Sequence, residues 1–347
     1  MSTAAIHIIG IDLGKNWFHL VGMNEKGDVL LRKKLNRNQL AEFVATSMTC
    51  IVAMESCPGS QYWGRRFQNA GYTVRIIPAQ FVKPYLKSNK NDFNDAEAIA
   101  EAGSRGRMRT VQLKSLDQLE MQATHRVRQR FIVERTAVVN QMRALLLEHG
   151  LVVPVGRALF ARRLPSILAD AENGLSIRMR QLMQRLHQRW QGLDKEIESI
   201  TTEIHEIAKG SELCRRAATV PGVGPIIATA MVAAIGNGQA FGSGRDLSAW
   251  LGLVPRQYST GGKSNLGSIS KRGNSYLRML LIQGARALMI HMKREKTGMG
   301  QWLHQLEKRS HPHVALIAMA NKIARICWKV LSCDEVYRPF PGLPVSA

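Results

Sequence analysis

Apolar and polar positions change period twice along this chain. From Ile6 to about residue 112 they come as short runs bounded by turn residues, the pattern of strands buried in a sheet. Ile6–Asp12, Trp17–Met23 and Val29–Leu35 read as three strands, with Asn24–Asp28 as a hairpin turn. A helix over Asn38–Ser47 follows, then a strand from Cys50 to Glu55, a helix over Tyr62–Ala70, a strand over Tyr72–Ile77 and a helix from about Asn94. The order βββαβαβα is ribonuclease-H-like.

From residue 115 the period becomes helical. Ser115 with Gln118 has the spacing of a capping box, and Val127, Phe131, Val138, Met142 and Leu145 form one stripe. Gly150, Pro154, Gly156 and Pro165 are expected to break the helix. A second stripe then runs Leu175, Met179, Leu182, Leu186, Trp190, Leu193, Ile197, Ile200, Ile204, Ile207 in steps of three and four, close to a heptad seam. At about 1.5 Å per residue each helix spans roughly 50 Å. So narrow a stripe needs a hairpin partner or another subunit, and part of it is expected to be intermolecular. Residues 213–333 read as a further, mostly helical unit. There Val220-Pro221-Gly222-Val223-Gly224-Pro225 precedes a small-residue helix over Ile226–Ile235, as in a helix-hairpin-helix motif whose glycines let backbone N–H groups approach a phosphate. Two Gly-flanked polar stretches, 250–263 and 270–278, read as loops able to wrap a nucleic-acid backbone.

The fold class is therefore α/β plus all-α. Residues 1–114 form an α/β domain, 115–210 a long helical coiled-coil hairpin, 211–333 a C-terminal helical domain and 334–347 a tail. The chain has 347 residues, enough for two or three domains. Its formal charge is +22, from 48 Lys and Arg against 26 Asp and Glu, which predicts a polyanionic partner. The five cysteines are odd in number and show no CxxC pair, which argues against a zinc site and fits a reducing cytoplasm. No apolar run is long enough for a membrane span, and the N-terminus lacks a signal pattern.

Against that basic background four acids stand out. Asp12 and Glu55 close the first and fourth strands, while Asp92 and Asp95 lie one helical turn apart. Acids at strand ends point out of a sheet, and four together repel unless divalent cations, Mg²⁺ or Mn²⁺, lie between them. That is how a two-metal phosphoryl-transfer centre is built. Each acid alone could instead cap a turn or a helix N-terminus, and the opening Gly10-Ile11-Asp12-Leu13-Gly14 also occurs in actin-like ATPases and sugar kinases. The charge, and the lack of a second phosphate-binding glycine segment, disfavour a kinase. The residues leave open a metal-dependent Holliday-junction resolvase or nuclease that uses water, and a non-catalytic nucleic-acid binder.

Asp12, Glu55, Asp92 and Asp95, followed by Gly252-Leu253-Val254-Pro255, Tyr258-Ser259-Thr260-Gly261-Gly262-Lys263 and Ser270-Lys271-Arg272-Gly273-Asn274, resemble the DEDD-type insertion-sequence transposases of the one-ten family, eleven-eleven subgroup. The resemblance implies a RuvC-like N-terminal domain, in which the tetrad holds the metal, and an RNA-guided, site-specific DNA recombinase. It also implies a catalytic serine from the C-terminal domain of another subunit of a dimer or tetramer, and a covalent phosphoserine intermediate. Partners would be donor and target DNA and an element-encoded guide RNA, in a bacterial cytoplasm at the nucleoid. Ser259 is the expected nucleophile and Thr260 its rival, because other branches align their serine with position 260. Gly222, Gly224, Lys263, Lys271, Arg272, Asn274 and Arg278 are the expected nucleic-acid contacts. Asp95 is the acid that could stand behind the metal ligands rather than among them. His304, His311 and His313 read as surface or core residues, and Cys57 as a packing residue.

Overall fold

Ile8 and Gly10 face one side of the first strand, Ile9 and Ile11 the other, and this alternation organises the N-terminal unit. In the computed structural model, residues 5–46, 50–87 and 91–339 are described. The chain divides into two compact units, one ending at Ser115 and one starting at Leu116. The first contains β1 (Ile8–Leu13), β2 (Trp17–Met23), β3 (Val29–Asn36), α1 (Arg37–Ala45), β4 (Ile51–Glu55), α2 (Ser60–Asn69), β5 (Thr73–Ile77), α3 (Ala79–Val82) and α4 (Asp92–Ser104). Apart from α3, which was not expected, these match the expected elements within a few residues. The expected end of the first helix, Ser47, lies outside the described residues.

The strands form one mixed sheet in the order β3-β2-β1-β4-β5. β1, β2 and β3 are antiparallel neighbours, and β1, β4 and β5 are parallel. Ile9, Ile11, Phe18, Leu20, Val52 and Met54 pack against Leu40 and Phe43 of α1 and Trp63 and Phe67 of α2. On the opposite face Ile8, Val21 and Ala53 pack with Ala96, Ile99 and Ala100 of α4. Glycine and alanine stand at the closest contacts on that side for a steric reason. A Cβ on Gly10 would lie 2.1 Å from the Ala96 carbonyl oxygen, and one on Gly103 would lie 2.5 Å from Ala53 Cβ. Helix α4 thus lies directly on β1 and β4. The turn between β2 and β3 follows from Asn24, whose Oδ1 accepts from the N–H groups of Lys26 and Asp28 while Gly27 takes a positive φ.

The second unit comprises α5 (Leu116–Leu147), α6 (Arg157–Ala169), α7 (Ile177–Gly210), α8 (Glu212–Ala217), α9 (Pro225–Ile235), α10 (Gly244–Trp250), β6 (Pro255–Thr260), β7 (Lys263–Ile269), α11 (Ser275–His291), α12 (Gly298–Arg309) and α13 (Pro312–Ser332). Helices α5 and α7 run antiparallel, since Arg128 bonds Thr201 while Arg135, further along α5, bonds Asp194, earlier on α7. Part of the α7 stripe is filled within the chain. Met183, Trp190 and Leu193 pack with Val138, Met142 and Leu146 of α5 and with Phe160 and Leu164 of α6. Leu182 stays 40% exposed, and Met179, Leu186, Ile200 and Ile207 are half-buried.

Two expectations are corrected. Pro165 does not break a helix but lies inside α6; it removes one backbone donor, and burial of Phe160 and Leu164 holds the helix across it. The stretches read as loops over 270–278 and 250–263 are instead helix α11 from Ser275 and, after Val254, the antiparallel hairpin β6–β7. It turns at Gly261 and Gly262, both at positive φ as a two-residue hairpin turn requires. Of the tail expected from residue 334, positions 340–347 lie outside the described residues. Among the described residues, no helix is long and apolar enough to cross a membrane.

A buried histidine ties α5 to α9 and α11. His125, 2% exposed, has Nε2 2.9 Å from Thr229 Oγ1 and Nδ1 3.0 Å from the Tyr276 hydroxyl. Thr229 donates its own proton to the Pro225 carbonyl, so Nε2–H is the donor to Thr229, and Nδ1 accepts from Tyr276. Burial, with a smaller contribution from Arg128, lowers the His125 pKa to about 4.

Two outcomes follow from this packing. Gly10→Val should lower unfolding stability by about 1–3 kcal/mol in urea titrations of the full chain, because the branched side chain meets backbone; an unchanged midpoint would contradict the contact. As pH falls from about 6.5, the unfolded chain protonates at position 125 before the folded one does, so stability is lost down to about pH 4. His125→Gln should lose that part of the acid dependence, up to about 3 kcal/mol, in unfolding curves taken across the range.

Candidate metal centre and serine hairpin

Because β1 and β4 are parallel, Asp12 and Glu55 emerge at the same edge of the sheet. Asp12 shares its strand face with Ile8 and Gly10, the face that α4 covers. The N-terminal turn of α4 carries Asp92 and Asp95, and Asn91 caps it by accepting from the Phe93 N–H. One carboxylate oxygen from each of Asp12, Asp92 and Asp95 lies within 4.8 Å of the others. Asp95, the acid whose direct role was least secure from sequence, belongs to this group. Glu55 lies outside the close trio yet within its electrostatic reach.

Burial raises the Asp12 pKa to about 6, with Asp95, then Asp92 and, more weakly, Glu55 adding to the effect against the opposing influence of His19. Glu55 is likewise raised, first by burial and then by Asp95. Cys57 is raised by burial, Glu55 and Asp12, which keeps it a thiol and suits a packing role. Crowded carboxylates of this kind fit a divalent cation, which takes oxygen ligands and relieves their repulsion.

His19 was missed from sequence. It pairs across the sheet with Asp12, its Nδ1 is 3.5 Å from Asp92 Oδ2, and its ring meets Phe93 edge-on at 4.8 Å. Its place in the alternation of β2, two residues after Trp17, was the available signal, but only the pairing register turns that into proximity.

In the second unit Ser259 is exposed on β6, opposite Ser264. Its Oγ accepts from Gln257 Nε2 at 2.7 Å, and among the described residues no histidine or lysine is hydrogen-bonded to it. Thr260 is its neighbour at the turn, opposite Lys263. Lys263, Lys271 and Arg272 are exposed. Asn274 and Arg278 have structural partners. Asn274 caps α11 through the Leu277 N–H, and Arg278 Nη1 donates to the carbonyls of Leu251 and Arg272 at 2.8 and 2.9 Å. These bonds clasp residues 250–254 to 270–274. The clasp is so close that a Cβ on Gly273 would meet the Trp250 carbonyl oxygen at 1.7 Å.

Gly222 takes φ +84 and packs against Gly284 of α11, so internal packing accounts for that glycine. Gly224 is exposed at the cap of α9, with open space around it. His311 caps α13 and stacks on His313 at 5.1 Å.

The transposase model for DEDD proteins of IS110 type matches residues 9–150, and the model of the Transposase IS116/IS110/IS902 family matches residues 214–300. The chain is 44% identical over 332 residues to the transposase for insertion sequence element IS1328 of Yersinia enterocolitica, spanning 96% of this chain and 98% of that one. It is 43% identical over 333 residues to the transposase for insertion sequence element IS1111A of Coxiella burnetii, spanning 96% and 92%. The chain belongs to the IS110 family of insertion-sequence transposases, DNA transposases whose DEDD acids imply use of a divalent metal.

Asp12→Asn should abolish Mn²⁺ binding in isothermal titration. The same variant should be more stable than the parent at pH 7 in chelator. The native acid ionises less readily than the unfolded one, so it costs stability as pH rises from about 4 to 6. Discounted for its partial exposure, the gain is of order 1 kcal/mol. Retained Mn²⁺ binding would remove Asp12 from the metal site.

Proposed function

We propose that this transposase is an RNA-guided, site-specific DNA recombinase that cuts with Ser259. The observation that carries the reading is that Ser259 is exposed on its hairpin with no hydrogen-bonded histidine or lysine base among the described residues, while the acid trio is grouped to hold a cation. A serine hydroxyl needs a base or a metal to become reactive. A divalent cation, Mg²⁺ or Mn²⁺, held by Asp12, Asp92 and Asp95 with Glu55 beside them, would polarise the scissile phosphate and lower the pKa of the attacking hydroxyl.

Ser259 Oγ forms a bond to phosphorus, and one bond from phosphorus to a deoxyribose oxygen breaks. The serine proton goes to solvent and the departing oxygen gains one. The DNA stays joined to the protein as a phosphoserine, and reversal of the step on a second strand rejoins it. The serine and the acids come from different subunits of a dimer or tetramer in this reading. The hairpin supports it, since two exposed strands alone are marginally stable in water and Tyr258 and Leu266 are 65% and 60% exposed.

Lys263, Lys271 and Arg272 contact phosphates, as does the backbone at Gly224, while Arg278 and Asn274 hold the loop that presents them. Guide RNA and DNA base pairing read the sequence, a role that the family resemblance supports and the +22 charge accommodates. A second reading, hydrolysis by water at the acid centre, is favoured by how close the trio already lies within one unit.

The test is a denaturing gel of the protein with Mg²⁺, labelled junction DNA and the element's RNA. A covalent protein–DNA band should appear and be lost in both Asp12→Ala and Ser259→Ala, while Thr260→Val retains it. Free cleaved ends that persist in Ser259→Ala would replace this mechanism with hydrolysis.

A further inference from the structure

We propose that a groove in the second unit holds an unpaired DNA strand and leads it onto the hairpin that bears Ser259. The choice of DNA as occupant rests on the recombinase reading above. The groove has a volume of about 1920 Å³, beyond the roughly 300–1,000 Å³ of a small-molecule site, so it suits a segment of polymer. It is walled by the first turn of α10, by α12 and α13, and by the base of the hairpin at Pro255 and Gly267–Ile269.

Its surface has two chemistries. Leu253, Ile317, Ile326 and Val330 make it apolar, with Trp302 and Trp328 in the wall. Arg245, Lys322, Arg325, Lys329 and Arg338 surround that surface against a single acid, Glu335. Some cations elsewhere in the unit find carboxylates, as Arg294 does at Glu307 and Arg135 at Asp194. Among the described residues none of the five groove cations forms an ion pair. Lys329 hydrogen-bonds Cys333 and feels Glu335 at a distance. Lys322 holds its ammonium 3.9 Å from the Trp302 ring centre, and burial and then Arg325 lower its pKa.

An occupant must therefore be anionic along its edge and flat and apolar within. A duplex hides its bases and would leave the apolar surface uncovered. An unpaired strand turns its bases to the tryptophans and its phosphates to the arginines, the arrangement of single-strand binding sites. The groove also has a direction. Pro255 pairs with Ile269 at its wall, and Ser259 pairs with Ser264 further along the same ladder, about 13 Å away at 3.3 Å per residue. A strand leaving the groove over this wall meets the serine.

Fluorescence anisotropy of the full chain with a short labelled oligothymidylate tests this. Arg245→Glu with Arg325→Glu, both on exposed side chains, should weaken binding at least about tenfold. The double change should also reduce the salt slope by about 1.4, at about 0.7 per lost phosphate contact on a single strand. Arg178→Glu with Lys195→Glu, the same charge change on α7, should alter binding less than about twofold, the net charge being equal. Trp302→Phe should reduce the quenching of tryptophan emission by the oligonucleotide and keeps the measurement informative if the charge variant folds poorly.

Affinity equal to the parent's, or a loss matched by the α7 control or by duplex DNA, would overturn the proposal. So would tighter binding of the matching RNA with a larger loss in the groove variant, or a drop in particle mass in light scattering, which would make the groove a contact between copies. Asp12→Ala and Ser259→Ala should bind the oligonucleotide as the parent does. If no covalent adduct ever forms while the groove effect stands, the serine reading fails and the groove does not.

Discussion

The absence of a side chain at Gly10 is the constraint on which the N-terminal unit turns. With hydrogen alone at that position, the Ala96 backbone and Ala100 come down onto β1, and Gly103 does the same over Ala53 of β4. The helix cannot then drift along the sheet, because close contact at Gly10 and Gly103 fixes where it sits. Its first turn consequently lies above the end of β1, and two acids one turn apart meet a third from a strand. Electrostatics alone would push these groups apart, as the elevated Asp12 pKa records. Steric fit at Gly10 and Gly103 holds them together, and a divalent cation would supply the missing counter-charge.

The second unit reverses that sign. Its helices are cross-braced by Arg128, Arg135 and Arg189 on α7 and α5 partners, while other cations are left around a groove and along a hairpin. Close backbone contacts at Gly252 and Gly273, with Arg278 bridging two carbonyls, fix the base of that hairpin. Its outer half is fully exposed. A serine is thus presented at a set height on an element whose exposed side chains suit a partner. Clustered acids thus mark the first unit and exposed cations the second.

Much of this was readable from residues. The runs ending at Asp12 and Glu55 identified strands because they are apolar and end in turn residues, and their order gave the sheet. Asp92 and Asp95 were visible as a pair, but their meeting with Asp12 depends on Gly10 and Gly103, whose meaning appears only when α4 is docked. His19 likewise needs the β1–β2 register. The hairpin escaped because exposed strands rich in Ser, Thr, Gly and Lys have no apolar alternation to betray them. Pro165 misled because local breaker chemistry was outweighed by burial of Phe160 and Leu164. The seam of α7 was correctly apolar, yet periodicity cannot say whether a partner helix comes from the same chain.

The central claim is that packing at Gly10 gathers these acids into a divalent-cation site. A crystal structure of the chain with Mn²⁺, phased on its anomalous signal, tests this most directly. The account predicts an anomalous peak within about 2.5 Å of carboxylate oxygens of Asp12, Asp92 and Asp95, with α4 still seated on Gly10. Ordered acids with no peak between them, or a manganese ion bound elsewhere, would contradict it.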